Sequence, residues 1–105
     1  MGIKLSLSTT LDEANTEKTI IDLSNLPYIA FLKKLSLSNN ATSLAKVQVK
    51  FYNGDSAKVV LTIKVAAGES ILVPEENLPS EAAPTKITLV SDQVPVEVEV
   101  SVELE

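Results

Sequence analysis

VPVEVEVSVELE, residues 94–105, sets valine or leucine at every even position and proline, glutamate or serine at every odd one. Side chains two apart share one face of a β-strand. The period therefore predicts a strand with Val94, Val96, Val98, Val100, Val102 and Leu104 turned inward and Glu97, Glu99 and Glu103 turned to water. Full burial of each apolar side chain contributes roughly 1.5–3 kcal/mol. Pro95 fits either a strand beginning or an edge, where the glutamates guard against stray pairing. Leu104-Glu105 has the form of an expression-vector scar.

The same alternation recurs upstream. Ile3, Leu5 and Leu7 alternate with Lys4, Ser6 and Ser8; TTLDEANTE follows as a polar loop, and KTIIDLS is a short strand. LPYIAFLKKL, residues 26–35, is ambiguous: Pro27 suits the first turn of a short helix, while the run into LSLSNN favours a strand from about Leu32 to Ser38. Val47, Val49 and Phe51 oppose Lys46, Gln48, Lys50 and Tyr52. Across the NGDS turn, Val59, Leu61, Ile63 and Val65 oppose Lys58, Thr62 and Lys64, which predicts a hairpin. AAGES turns into ILVP, and PEENLPSEAAP is a loop that its prolines keep out of a central ladder. TKITLVS and VPVEVEVSVEL form a last pair across DQ. Seven or eight strands at this spacing in 105 residues predict one all-β domain spanning residues 1–105, an antiparallel β-sandwich, Ig-like or jelly-roll-like, with a partly closed barrel as the competing architecture.

The missing residue types narrow the function. Without cysteine there is no disulfide, attacking thiolate or thiolate metal site, and without histidine the commonest general base and transition-metal ligand are gone. The nine basic residues are all lysine and the net charge is −5, so the arginine forks of nucleic-acid readers are missing and a polyanion is repelled. No apolar run approaches a membrane span and no leader segment opens the chain, so use without export through a cleaved signal is expected. Three glycines, Gly2, Gly54 and Gly68, cannot build a phosphate-binding loop.

Each candidate site has a plain structural reading. Glu97 and Glu99, with Cα atoms roughly 6.5–7 Å apart, suit a glycosidase-like pair in distance, but acid–base work needs a carboxyl raised by burial and the alternation puts both in water. No calcium-loop spacing occurs. MGIKLS fits an acylation pattern at Gly2, yet Ile3, Leu5 and Leu7 simply begin a strand. NAT at 40–42 is a glycosylation sequon in a turn that favours asparagine anyway. Tyr28 and Tyr52 come from distant strands and make a poor platform for sugars. No nucleophile has a base near it in sequence. No catalytic residue, cofactor or metal ligand is expected, and the chain reads as non-enzymatic.

Charge is uneven: residues 1–32 carry −2, residues 33–64 carry +5 and residues 65–105 carry −8. Such a split serves cross-strand pairing or marks opposite poles that attract a neighbouring copy. The residues expected at a partner contact are Glu97, Glu99 and Glu103 on the acidic side and Lys46, Lys50 and Lys64 on the basic side.

KKLSLSNNATSLAKVQVKFYNGD, LTIKVAAGESILVPEENL and KITLVSDQVPVEVEVSVELE together resemble small β-sandwich structural proteins of tailed bacteriophages and prophages. In those proteins an NN turn follows an early strand, a PAGES-like turn feeds an LVLP-like strand and a valine-rich strand ends the chain. The likeness covers about residues 33–105, with Ala67 where that family has proline. It implies a virion accessory, such as a capsid decoration, neck or tail component, that contacts other virion proteins or copies of itself without catalysis, nucleic acid or membrane; it carries over no site residues. Ig-like adhesion and carbohydrate-binding modules share the cadence. The alternative is therefore a glycan- or protein-binding module of a bacterial surface or secreted protein, using loops such as Asn39–Ser43 and Pro74–Pro84; outside a virion the location would be cytoplasmic or the bacterial surface.

Overall fold

The closing stretch forms the strand Val96–Leu104, and it is central, not an edge. In the computed structural model, which describes residues 2–105, eight strands build two four-stranded antiparallel sheets. They are β1 (Ile3–Leu11), β2 (Lys18–Asp22), β3 (Ala30–Asn39), β4 (Ala45–Asn53), β5 (Ser56–Val65), β6 (Ser70–Leu72), β7 (Lys86–Ser91) and β8 (Val96–Leu104). One sheet, here sheet A, has the order β1-β8-β3-β6, and the other, sheet B, has β2-β7-β4-β5. Successive strands from β1 to β4 and from β5 to β8 cross between the sheets in the double Greek key of a jelly roll. That order separates the fold from the Ig-like and barrel alternatives.

Burial explains why the strands sit where they do. Val96, Val98, Val100, Val102 and Leu104 are at most 6% exposed and share one core with Leu35 and Leu37 of the same sheet and with Val47, Val49, Ile87 and Leu89 of the other. Because β8 is paired along its length to β1 on one side and β3 on the other, Leu104 is held by Ile3 and Ala30, and Glu105 exchanges backbone bonds with Ile29. Leu104 is thus a strand residue, and Glu105 follows it tied to Ile29. Pro95 precedes the strand, which agrees with the strand-beginning reading; the edge-guard reading of the glutamates fails because both flanks of β8 are paired.

Three further expectations are corrected. Thr9, Thr10 and Leu11 extend β1 rather than opening a loop, since they pair with Val98, Glu97 and Val96. No helix forms after Pro27; β3 starts at Ala30, and the one helical turn among the described residues is Glu75–Asn77. TKITLVS and VPVEVEVSVEL are not paired to each other, because β7 lies in sheet B between β2 and β4 while β8 lies in sheet A. The short link between them spans the two sheets.

The β4–β5 hairpin forms around Gly54-Asp55, with Gly54 at φ +64, where glycine is favoured. Its register shifts between Val49 and Lys50, so that Val49 opposes Leu61 but Lys50 opposes Val59. Val60 is the extra residue of a bulge, and everything before it changes face. Val59 is consequently 44% exposed instead of inward, and Lys58 leaves the outer face to pair with Glu81 at 2.9 Å.

At the end of the sandwich where β3 meets the β4–β5 sheet, Asn39 is fully buried and fully bonded. Its Nδ2 donates to Ser43 O and Val65 O, both at 2.9 Å, and its Oδ1 accepts from Ala41 N–H at 2.9 Å. Its backbone carbonyl accepts from Gly68 N–H and its N–H donates to Glu69 O. Gly68 has φ +76. The NN and AGES motifs therefore meet at one corner that ties the sheets together.

Candidate functional site

Period-two geometry places the expected contact residues on the two outer faces of the sandwich, which are opposite surfaces. On sheet A, Glu97 stands between Thr10 and Ser38, and Glu99 between Ser8 and Ser36. Both glutamates are exposed. Ser38 and Ser70 share a hydroxyl hydrogen bond of 2.8 Å beside them, and the strands leave a shallow depression of about 320 Å³ there. Hydroxyls flank the two carboxylates, with Leu72 beside them, and no lysine is directly cross-strand from either, although Lys34 lines a depression with Glu99. Glu103 differs: it is half-buried, opposes Lys4 and Phe31, and lies against Gly2, where an added Cβ would press on its side chain. Lys33 and Lys34 share this lower half of sheet A, with Lys33 Nζ 5.6 Å from the Phe31 ring centroid.

On sheet B, Lys46 and Lys64 are cross-strand partners and both are exposed. Neither has a carboxylate within ion-pair distance among the described residues. Like charges directly opposite on a sheet destabilise it by roughly 0.2–1 kcal/mol. Lys50 is not equivalent. Glu17, from the β1–β2 loop, folds over the sheet and lies 3.5 Å from Lys50 Nζ; its other oxygen accepts from Thr88 Oγ1 at 2.7 Å and from the Tyr52 hydroxyl. Those hydrogen bonds, Tyr52 first and Thr88 second, hold the Glu17 carboxyl below its ordinary range, and the same contact pushes the Tyr52 hydroxyl up.

The structure therefore brings Glu97 with Glu99, and Lys46 with Lys64, and sets the two pairs on opposite faces. Cross-strand pairing between the acidic and basic segments does not occur at these residues. Sequence reasoning missed Glu17: its only signal was a lone glutamate in a polar loop, and nothing local links it to Lys50, Tyr52 and Thr88.

The other candidates stay structural. The Tyr52 ring carries Lys86 Nζ at 4.4 Å and its hydroxyl is committed to Glu17, while Tyr28 packs against the core. Asn39 spends its side chain on its own backbone, so it is not free for a glycan; Asn40, the sequon asparagine, is exposed. Gly2 leads directly into β1, and Met1 of the acylation pattern lies outside the described residues. Among the described residues no group of three acidic side chains is placed to hold a metal ion, and no helix is long and apolar enough to cross a membrane.

No protein-family model and no curated protein matches the sequence. Among solved structures, the chain is similar to PirA, with a TM-score of 0.57 and 10% identity over 95% of this chain and 93% of that one. It is similar as well to a chain of the Bacillus endospore appendages, described as a family of disulfide-linked pili, with a TM-score of 0.55 and 16% identity over 98% of this chain and 85% of that one. A chain of infectious bursal disease virus Gx strain aligns at a TM-score of 0.42 and 12% identity, over 98% of this chain and 32% of that one. The first two agreements show a shared all-β sandwich fold.

Proposed function

We propose that this chain is a non-catalytic structural protein, a virion accessory of a tailed bacteriophage or prophage, that docks through two oppositely charged clusters, Glu97 with Glu99 and Lys46 with Lys64, on opposite sheet faces. The observation that carries the reading is the Lys46/Lys64 pair: two like charges are held side by side, a cost that an external anionic surface would offset. Neither ammonium is within ion-pair distance of a carboxylate among the described residues, although Asp92 bonds the Lys46 backbone N–H. Glu97 and Glu99 offer the complementary surface on the other side of the same molecule. The resemblance of residues 33–105 to phage β-sandwich proteins supports the virion setting, and a jelly-roll fold is used by viral capsid domains among others.

Magnitudes favour a lattice over an isolated dimer. Exposed ion pairs contribute roughly 0.2–1 kcal/mol each, too little for tight one-to-one binding, whereas repetition multiplies weak contacts by about 10²–10⁴. Pili built from a similar fold are described as disulfide-linked. This chain has no cysteine, so its assembly would depend on non-covalent contacts. Co-sedimentation tests the proposal: after prophage induction of the source cells, the chain is expected in the particle fraction and to be released as salt is raised. Recovery entirely in the soluble fraction would reject the virion role.

A further inference from the structure

The two open sides of the sandwich are unequal. On one side, the β1–β2 loop bridges the sheets and Lys18 Nζ donates to Thr10 O at 2.9 Å, which ties the edge strands β1 and β2 together. On the other side, β5 is the free edge of sheet B with ten residues, while its counterpart β6 in sheet A has only three. The short strand leaves a groove of about 670 Å³ between the edges, walled by Leu61, Ile63, Ile71, Leu72 and Val73. Leu72 is 61% exposed there.

An unguarded strand edge is a template for another strand, because a row of backbone N–H and C=O groups lacks partners. The bulge at Val60 interrupts the regular pairing of β5, and Val65 is buried with its carbonyl bonded to Asn39, so the template is Leu61–Lys64, the part beside the groove. Charge selects among occupants. Among the described residues Lys64 is the one charged residue lining the groove, and Lys46 stands next to it. Pairing of β5 with β5 of a second copy would gather these lysines on one seam, whereas a strand bearing carboxylates would be drawn to them.

We propose that the Leu61–Lys64 edge and its groove accept an extended segment of a partner protein, with alternating apolar and acidic residues, as a fifth strand of sheet B. The apolar side chains enter the groove over Leu61 and Ile63, and the acidic ones lie on the outer face by Lys64. Backbone pairing supplies affinity and the alternation supplies specificity. This contact shares Lys64 with the lysine pair proposed above but adds backbone pairing along β5 and apolar contact with Ile71–Val73, so amide shifts along that edge, rather than at Lys46 and Lys64 alone, distinguish it from docking on the sheet face.

The test is a titration of the isotope-labelled full chain, followed by amide NMR, with the capped peptide VPVEVEVSVELE as the probe of that chemistry. Shifts confined to β5 and Ile71–Val73 are expected, with saturation below about 1 mM. Binding should weaken about tenfold or more when the peptide glutamates are lysines, and likewise in the folded Lys64→Glu variant. Absence of shifts, shifts centred on β2 or on the Glu97 face, or equal binding of the lysine peptide would overturn the proposal. Concentration-dependent shifts of β5 without peptide would overturn it in favour of a second copy.

Discussion

Asn39 and Glu17 are the two polar residues on which the most local structure depends. Replacing Asn39 with alanine strands the Val65 carbonyl inside the protein and removes the partners of the part-buried Ser43 carbonyl and Ala41 N–H, the buried loss costing roughly 1–3 kcal/mol and the others less where water reaches them. Asn39→Ala is therefore expected to lower unfolding free energy by about 2–4 kcal/mol in a denaturant titration, while Asn40→Ala, on the exposed neighbour, changes little. The sequence held a clue: Asn39 has the parity of Leu35 and Leu37, an inward position, although the NN pair alone reads only as a turn. Glu17 makes a pH-dependent contribution. Its folded carboxyl titrates below the ordinary 4.5, so its stabilisation is complete above that value and is lost as pH falls through the lowered one. Glu17→Gln should cost about 1 kcal/mol at neutral pH, the usual charged hydrogen-bond value discounted for solvent exposure, and the difference from wild type should vanish in acid. An equal loss at pH 3 and pH 7 would contradict the contact. Asp22, held down by its Ser24 hydrogen bonds, adds to the acid slope in the same direction.

Strand identity was legible wherever one face is dry and the other wet, as in β4 and β8, because the period of two then marks every residue. It failed where that contrast is missing. Ile87, Thr88 and Leu89 of β7 are all buried, the threonine under Glu17, so nothing local showed that β7 faces β2 and β4 rather than its sequence neighbour β8. Val59 and Val60 are both apolar, so the bulge that exposes one of them left no trace in the pattern. The long-range pairing of β8 leads to a further expectation. Deleting Leu104-Glu105 removes a buried leucine and the backbone pair with Ile29, so stability should fall by about 2–4 kcal/mol in thermal or chemical unfolding. A dispensable vector scar would leave it unchanged.

At the scale of the whole molecule, segment charges foretold an uneven distribution, but not that the Glu97/Glu99 and Lys46/Lys64 pairs would lie on opposite faces; that follows from the jelly-roll order, which puts β8 in one sheet and β4 and β5 in the other, while Lys33 and Lys34 of the basic segment share the β8 sheet. Net charge and face charge make opposite predictions. Each Glu→Lys exchange adds two positive units, so Glu97→Lys with Glu99→Lys moves the chain from −5 to −1 and reduces its overall self-repulsion. If the faces attract each other, the same variant nonetheless associates less, and so does Lys46→Glu with Lys64→Glu. The most direct measurement is the second virial coefficient by light scattering at low salt for wild type, each double variant and their equimolar mixture, with circular dichroism showing that all remain folded. The account predicts attraction for wild type, its loss in each variant alone, and its return in the mixture, where every lysine face finds a glutamate face. A wild type no more attractive than either variant, or a mixture that behaves as the average of its parts, would contradict it.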